Sequence, residues 1–235
     1  MTLPTGEQYD RIPAWINYTI QDHESKAFNG AFVSLDDFHF MYPKPEWKNN
    51  ETPLRVYECH IGISGVEPKI HSFTHFKDTV LPYIAKLGYN TIQIMAILEH
   101  PYYGSFGYHV TNFFAVSSRF GNPREFKELV DAAHEMGIKV IIDLVHAHAA
   151  KNIDEGLNYW DGTDYQYFHS GEKGIHSQWD SRIFDFSKYE VLRFLLSNIR
   201  FWIEEFNTDG FRFDAVTSML YKHHGINYGF TGQYH

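Results

Sequence analysis

One stretch of this sequence limits the possible folds more than any other. Residues 139–145 are apolar at every position except Lys139 and Asp143. A strand with one face in water alternates apolar and polar residues, whereas a nearly continuous apolar run predicts a strand that is buried on both faces. Because such strands occur almost only in parallel sheets covered by helices on both sides, an α/β protein is expected.

Strands and helices alternate from residue 55 onward. The predicted strands are residues 55–63, 91–97, 139–145 and 209–216. The predicted helices lie between them, at residues 72–87, 122–136 and 187–206. The resulting order, βαβαβαβ with helices long enough for right-handed crossovers, predicts a parallel sheet that is either doubly wound or part of a barrel.

Capping residues mark the ends of these helices. Pro82 must kink or open the first helix, and Gly88 is expected to end it. Asn122 is a good N-cap for the second helix, and a capping box over residues 187–190 is expected to open the third. The residues predicted to face the core are Phe126, Leu129, Val130, Ala133 and Met136 in the second helix, and Val191, Leu192, Leu195, Ile199, Trp202, Ile203 and Phe206 in the third.

Two features favour a barrel over a doubly wound sheet. The loops after the second and third strands are long (98–121 and 147–187), and barrel enzymes carry their function on such loops. No strand is followed by a Gly-rich phosphate-binding loop. Residues 55–235 are therefore predicted to form the N-terminal half, about four βα units, of a (β/α)8 barrel. Four strands do not close a barrel, so we expect the chain to be part of a longer protein.

Residues 1–54 differ from the rest of the chain. They show no sustained periodicity and contain five of its prolines, Pro4, Pro13, Pro43, Pro45 and Pro53. We interpret them as an extended N-terminal segment that belongs to an upstream module and ends in a linker near residues 41–53.

Composition excludes several partners. The formal net charge of −9 over 235 residues argues against binding to nucleic acid or to an anionic membrane. No apolar run approaches the roughly 20 residues of a membrane span, and the N-terminus lacks a signal-peptide pattern, so a cytoplasmic location is expected. Cys59 is the only cysteine and lies in a predicted strand, where a buried, unreactive thiol is expected.

An arginine and a carboxylate lie two residues apart on the fourth predicted strand. Arg212 and Asp214 must therefore point to the same side, into the barrel, while Phe211 and Phe213 face the helices. A charged pair in this position is costly unless its members satisfy each other or serve a site. Either a buried salt bridge or a catalytic carboxylate at the carboxyl end of the strand is consistent with this spacing.

Three polar side chains end the third predicted strand: Asp143, His146 and His148. Their spacing permits a metal site, a constellation that hydrogen-bonds substrate hydroxyls, or a structural histidine pair.

Aromatic residues are concentrated in the two long loops. Residues 103–114 interleave aromatic rings with glycines, which can present the rings at close range or simply pack them. The other loop holds Tyr159, Trp160, Tyr165, Tyr167, Phe168, His169, Trp179 and Asp180. A local core is the favoured interpretation for any one of these rings, and stacking on sugar is the alternative.

Residues 55–62, 107–114, 143–148 and 209–214 together resemble the α-amylase superfamily of glycoside hydrolases, and the similarity extends over nearly the whole chain. Residues 161–164 and 167–171 resemble the glycogen and starch branching enzymes of the eukaryotic type. This resemblance implies a (β/α)8 barrel preceded by a carbohydrate-binding β-sandwich. It also implies that an α-1,4-glucan link is cleaved by a retaining double displacement and that the glucan is transferred to a 6-hydroxyl, which forms an α-1,6 branch in glycogen or a starch-like polymer.

The resemblance assigns roles to matching residues. Asp214 would be the nucleophile, and Arg212 would hold it ionised and in position. Tyr108, Asp143 and His148 would line the subsite for the transferred glucose. Glu190 and Arg193 would contact glucan on the outer surface.

Two departures from the family pattern carry expectations. The acid/base glutamate would follow a fifth strand beyond His235, so the isolated chain is predicted to be inactive. Ala147 replaces the asparagine that amylases use for calcium, so no metal and no cofactor is expected. The alternatives are another glucan hydrolase of the superfamily, a metal-dependent barrel hydrolase that uses His146, His148 and Asp143, and a glycan-binding fragment without catalysis.

Overall fold

The structure, a computed structural model, describes residues 1–3, 5–46 and 52–229. Its strands are β1 (Thr19–Gln21), β2 (Phe28–Gly30), β3 (Val56–Cys59), β4 (Thr91–Ile94), β5 (Leu98–Glu99), β6 (Asn112–Val116), β7 (Lys139–Leu144), β8 (His148–Ala150), β9 (Ile175–His176), β10 (Ser181–Ile183) and β11 (Gly210–Phe213). Its α-helices are α1 (Phe73–His75), α2 (Leu81–Lys86), α3 (Pro123–Glu135), α4 (Tyr189–Glu204) and α5 (Val216–Leu220). Pro4, residues 47–51 of the predicted linker and residues 230–235 lie outside the described residues.

The central sheet has four parallel strands in the order β3, β4, β7, β11. Each strand therefore pairs with the next one along the chain. A doubly wound sheet instead adds strands on both sides of its first strand, so the sequential order is that of a TIM-type barrel. The four strands lie within the four predicted ranges, and the predicted α/β class is confirmed.

The middle strands are apolar on the side that faces the helices. Ile92, Val140 and Ile142 are fully buried there. Gln93 and Asp143 lie on the opposite side, toward the barrel interior, and hydrogen-bond to each other across β4 and β7. The predicted burial of residues 139–145 is thus explained by helices on one face and a polar network on the other.

The first predicted helix is interrupted as Pro82 requires. A π-helical turn, Phe76–Val80, joins α1 to α2 directly before the proline. Because Pro82 has no N–H to donate to the preceding turn, the wider turn accommodates the missing bond. Gly88 follows the helix with φ +81°, a left-handed conformation that ends it as predicted.

Helix α3 follows the sequence prediction closely. The Asn122 side chain accepts from the Glu125 N–H, and the Glu125 carboxylate accepts from the Asn122 N–H, which completes a capping box. Gly137 follows with φ +71°. Met136 was predicted to face the core, and this prediction is wrong, because Met136 is 39% exposed at the end of the otherwise buried stripe.

Helix α4 differs from the prediction at its start. The N-cap is Lys188, which makes no side-chain capping bond. The Ser187 hydroxyl instead donates to the Asp185 carboxylate at 2.6 Å. The predicted capping box over residues 187–190 is therefore wrong, because a local turn around Asp185 takes up the serine that would have capped the helix.

The buried face of α4 is also rotated from the predicted one. Leu192 and Ile203, predicted to face the core, are 41% and 40% exposed. Phe194 and Asn198 occupy the core side, and the Phe194 ring lies 5.3 Å from the Phe114 ring. The outward leucine at position 192 shows that apolar periodicity alone did not locate the centre of this face.

The two long loops contain short strands of their own. The loop after β4 forms the β5–β6 hairpin, and the loop after β7 forms an antiparallel sheet in the order β8, β10, β9. The N-terminal segment contributes the β1–β2 hairpin, which is more regular than predicted. It is attached by a buried hydrogen bond of 3.0 Å from the Thr19 hydroxyl to the Glu99 carboxylate.

Among the described residues, no helix combines the length and the apolarity that a membrane crossing requires.

Candidate active site

A cleft of about 380 Å³ opens at the carboxyl ends of β7 and β11, where the long loops meet. It is lined by Tyr102, Gly104, Ser105, Tyr108, His109, His148, Gln178, Trp179 and Asp214. The strand-end position is the one where barrel enzymes place their chemistry. Three residues with predicted roles, Tyr108, His148 and Asp214, lie together here.

Arg212 joins two carboxylates beneath this cleft. The parallel register of β11 on β7 sets Arg212 beside Asp143. The Nη1 atom of Arg212 donates to Asp214 Oδ1 at 2.7 Å and to Asp143 Oδ2 at 3.0 Å. Partial burial favours the neutral guanidine, but the charges of Asp143 and Asp214 outweigh it and raise the pKa of Arg212. Arg212 therefore stays a cation that orients Asp214.

Asp143 lies behind the cleft surface and does not line it, which corrects the predicted placement. Its side chain is fully buried. It accepts hydrogen bonds from the Tyr108 hydroxyl at 2.7 Å, from Arg212 at 3.0 Å and from Gln93 at 3.1 Å. Burial raises the pKa of Asp143, while the Tyr108 hydrogen bond and the Arg212 charge oppose that rise. The carboxylate thus positions Tyr108 directly and Asp214 through Arg212.

Tyr108 reaches the cleft because of the glycine before it. Gly107 has φ +96°, and a Cβ at this position would lie 1.8 Å from the Ala96 carbonyl oxygen. Only glycine allows this approach. Burial, followed by the hydrogen bond to Asp143, raises the pKa of Tyr108, so its hydroxyl remains a donor.

His148 is a neutral side chain at the edge of the cleft. Burial, with smaller contributions from His109 and His176, lowers the pKa of His148 to about 3. Its Nδ1 atom has no hydrogen-bond partner within the described part of the chain. A neutral imidazole offers one donor and one acceptor, which suits a sugar hydroxyl.

His146 points away from the cleft. Its Nε2 atom lies 2.9 Å from the Asn198 side-chain oxygen, and Asn198 donates in turn to the Phe113 carbonyl at 2.7 Å. Burial lowers the pKa of His146 to about 4. This histidine is a structural link between the end of β7 and α4.

The three residues predicted to bind a metal in the alternative of a metal-dependent hydrolase do not lie together. His146 is bonded to α4, and Asp143 is bonded to Tyr108, Arg212 and Gln93, so neither converges with His148. Over residues 1–3, 5–46 and 52–229, no three His, Cys, Asp or Glu side chains are arranged to hold a metal ion.

Glu190 and Arg193 lie outside the cleft. They form an ion pair of 3.0 Å on the outer face of α4, where both side chains are mostly exposed. Cys59, by contrast, is buried, and burial raises the pKa of its thiol, in keeping with the unreactive thiol expected from the sequence.

Six cleft residues had no predicted role: Tyr102, Gly104, Ser105, His109, Gln178 and Trp179. The alternation of glycines and rings in residues 103–114 was the available signal for Gly104, Ser105 and His109, and Tyr102 directly precedes that stretch. Trp179 stood among eight aromatic and polar residues of its loop, and nothing in the sequence separated it from them.

The sequential parallel strands and the polar cleft at their carboxyl ends define the class of this protein, which is a TIM-barrel-type α/β protein. The "Alpha amylase, catalytic domain" family matches residues 79–181. A crystal structure of a Salmonella typhimurium protein described as an alpha amylase superposes with a TM-score of 0.68 at 26% identity, over 81% of this chain and 30% of that one.

Three relatives that match nearly the whole chain are each named as a 1,4-alpha-glucan-branching enzyme. The protein of Yarrowia lipolytica is 56% identical over 98% of this chain and 33% of its own length. The Aspergillus oryzae protein is 55% identical over 100% of this chain and 34% of its own, and an Arabidopsis thaliana protein is 54% identical over 100% and 29%. The whole chain is thus similar to part of these proteins, and it spans about a third of the length of these curated relatives.

Proposed function

We propose that this chain is part of a 1,4-α-glucan branching enzyme in which Asp214 is the nucleophile. The observation that carries the proposal is the contact of Asp214 with Arg212 at 2.7 Å in a cleft shared with Tyr108 and His148. The relatives' shared name supports the choice of branching over other chemistry of the family.

In the first step, the Asp214 carboxylate attacks the anomeric carbon of an α-1,4-linked glucose. The bond to the leaving O4 atom breaks, and that oxygen takes a proton from an acid. In the second step, a glucan 6-hydroxyl attacks the same carbon, gives its proton to the conjugate base and releases Asp214. Two inversions retain the α configuration and make an α-1,6 link.

A second carboxyl group, about 5–5.5 Å from the nucleophile, must act as the acid and base. Asp143 does not suit this role, because it is fully buried and accepts three hydrogen bonds from protein groups. We assign the role to a glutamate in the remainder of a longer protein, of which residues 55–235 would form the first half of the barrel. Residues 1–54 would follow a carbohydrate-binding β-sandwich.

Two other cleft residues, Tyr108 and His148, bind the glucose that Asp214 attacks. The Tyr108 hydroxyl, held by Asp143, and the neutral His148 imidazole face the sugar hydroxyls. Glu190 and Arg193 are placed to contact a glucan chain on the outer surface, away from the reaction. The substrate is a polysaccharide in the cytoplasm, and no step uses a metal or a cofactor.

The test is Asp214→Asn in the complete polypeptide that contains these residues. The amide cannot form the glycosyl ester, so branching should fall by at least about a thousandfold, a barrier increase of about 4 kcal/mol. Branching is followed by loss of iodine staining of amylose without release of reducing ends. Asp78→Asn, whose side chain is 62% exposed and lies outside the cleft, is the matched control.

Three outcomes would overturn the proposal. Reducing ends released in proportion to the loss of iodine staining would show a hydrolase. An active Asp214→Asn variant would show that Asp214 is not the nucleophile. Branching by the purified 235-residue chain alone would show that no further carboxyl group is needed.

A further inference from the structure

We propose that Trp179 is a stacking platform for the glucosyl unit next to the one that Asp214 attacks. Trp179 and Asp214 line the same cleft, and Trp179 is 37% exposed. The inference rests on the proposed function, because it identifies a second sugar position in that cleft.

A short turn presents the indole to the cleft. Strands β9 and β10 pair antiparallel, with Ser181 opposite His176, so the four residues between them form the connection. The backbone N–H of Trp179 donates to the His176 carbonyl at 3.2 Å, and Asp180 follows with φ +50°. Trp179 is therefore carried by a hydrogen-bonded turn rather than by a free loop.

One face of the indole is covered. The His176 ring stacks on it with a centroid separation of 3.8 Å and an interplanar angle of 2°. His176 is fully buried, so the indole rests on a fixed imidazole.

Within the described part of the chain, no aromatic ring stacks on the second face of the indole. The His148 centroid lies 5.0 Å from Trp179 and 6.3 Å from His176. Together with the 3.8 Å separation of Trp179 and His176, these distances define a triangle of ring centroids with an angle close to 90° at Trp179. His148 therefore lies beside the edge of the indole and not over its open face.

This geometry suits a pyranose ring. The axial C–H groups of glucose form an apolar face that packs on an aromatic plane, while the hydroxyl groups around the ring stay available for hydrogen bonds. His148, at the indole edge, would meet the hydroxyl groups of the sugar on the platform or of its neighbour at Asp214.

Three other rings of the same loop do not offer such a surface to the cleft. The Trp160 indole donates to the Ile12 carbonyl at 2.9 Å. Phe168 is 1% exposed and packs on the Phe184 ring at 5.1 Å. Tyr165 is exposed but lies under the Lys188 ammonium, outside the cleft. The local core expected from the sequence thus accounts for Trp160 and Phe168, whereas Tyr165 is exposed outside the cleft and Trp179 is exposed within it.

The test compares Trp179→Ala, Trp179→Phe and Tyr165→Ala in the complete polypeptide, with linear amylose as donor. We expect Trp179→Ala to raise KM about tenfold, as loss of one stacking contact predicts, with kcat changed less than about twofold. Trp179→Phe should keep KM within about threefold of the unchanged protein, because a smaller ring still stacks. Tyr165→Ala should leave both constants unchanged.

An unchanged KM in Trp179→Ala would overturn the inference. A KM in Trp179→Phe as high as that in Trp179→Ala would also overturn it, provided that the melting temperature of Trp179→Phe is unaltered. Either result, obtained while Asp214→Asn abolishes branching, would leave the proposed function intact. Absence of glucan transfer in the unchanged protein would instead refute the function itself.

Discussion

At the scale of single residues, the site depends on one buried carboxylate. Asp143 accepts hydrogen bonds from residues on three different parts of the barrel; of these, Tyr108 lines the cleft and Arg212 contacts Asp214 there. A buried carboxylate needs each of its donors, because an unmet hydrogen bond in the interior costs more than the same bond contributes when made. Loss of one donor should therefore lower stability as well as alter the cleft.

Tyr108→Phe tests this dependence directly. The variant removes the 2.7 Å donor to Asp143 and leaves the ring. We expect the free energy of unfolding to fall by about 1–3 kcal/mol, measured by urea denaturation. Tyr189→Phe, at a side chain that is 74% exposed, should change it by less than about 0.5 kcal/mol. Equal effects in the two variants would contradict the role given to the Asp143 network.

The sequence predicted this part of the site only partly. The two-residue spacing of Arg212 and Asp214 placed both on one side of β11, because the pleat of a strand alternates its side chains. The same reasoning does not apply to His146 and His148. Strand β7 ends at Leu144 and β8 begins at His148, so His146 lies in the irregular connection and turns toward α4.

At the scale of elements, the starts of α3 and α4 look equivalent in the sequence and differ in the structure. Asn122 caps α3 through its side chain, whereas Ser187 bonds to Asp185 and leaves α4 without a side-chain cap. A cap can be predicted only when no nearby group competes for it, and here the competitor lies two residues upstream.

The two helix starts therefore predict unequal costs of mutation. Asn122→Ala should lower the free energy of unfolding by about 1 kcal/mol through loss of the capping box. Ser187→Ala should lower it by less than about 0.5 kcal/mol, because its bond is exposed and does not cap the helix. Urea denaturation of both variants is the measurement. Similar losses of unfolding free energy in the two variants would favour the capping box predicted from the sequence and contradict the structure.

At the scale of the whole molecule, stability should depend on pH through buried histidines. Burial lowers the pKa of His100 and of His146 to about 4, and that of His148 to about 3, from the ordinary value of 6.5. The unfolded chain takes up protons at these sites below about pH 6.5, while the folded chain stays neutral there. Their contribution is therefore complete above pH 6.5 and is lost as the pH falls toward 4.

The His146→Gln variant isolates one of these contributions. The glutamine amide retains a donor for Asn198 but does not titrate. Between pH 7 and pH 4, we expect its free energy of unfolding to fall by about 3 kcal/mol less than that of the unchanged chain. His23→Gln, at an exposed site, serves as the control. Parallel pH profiles for the unchanged chain and His146→Gln would contradict the assignment.

The sequence by itself determined the parallel strands, the helices between them and the common side of Arg212 and Asp214. These follow from the periodicity of apolar residues and from capping, which act within a few positions of the chain. Only the tertiary structure decided that Asp143 lies behind the cleft, that His146 serves α4 and that Trp179 shows an open face. Those features depend on contacts between distant segments, and no local pattern records which segments will meet.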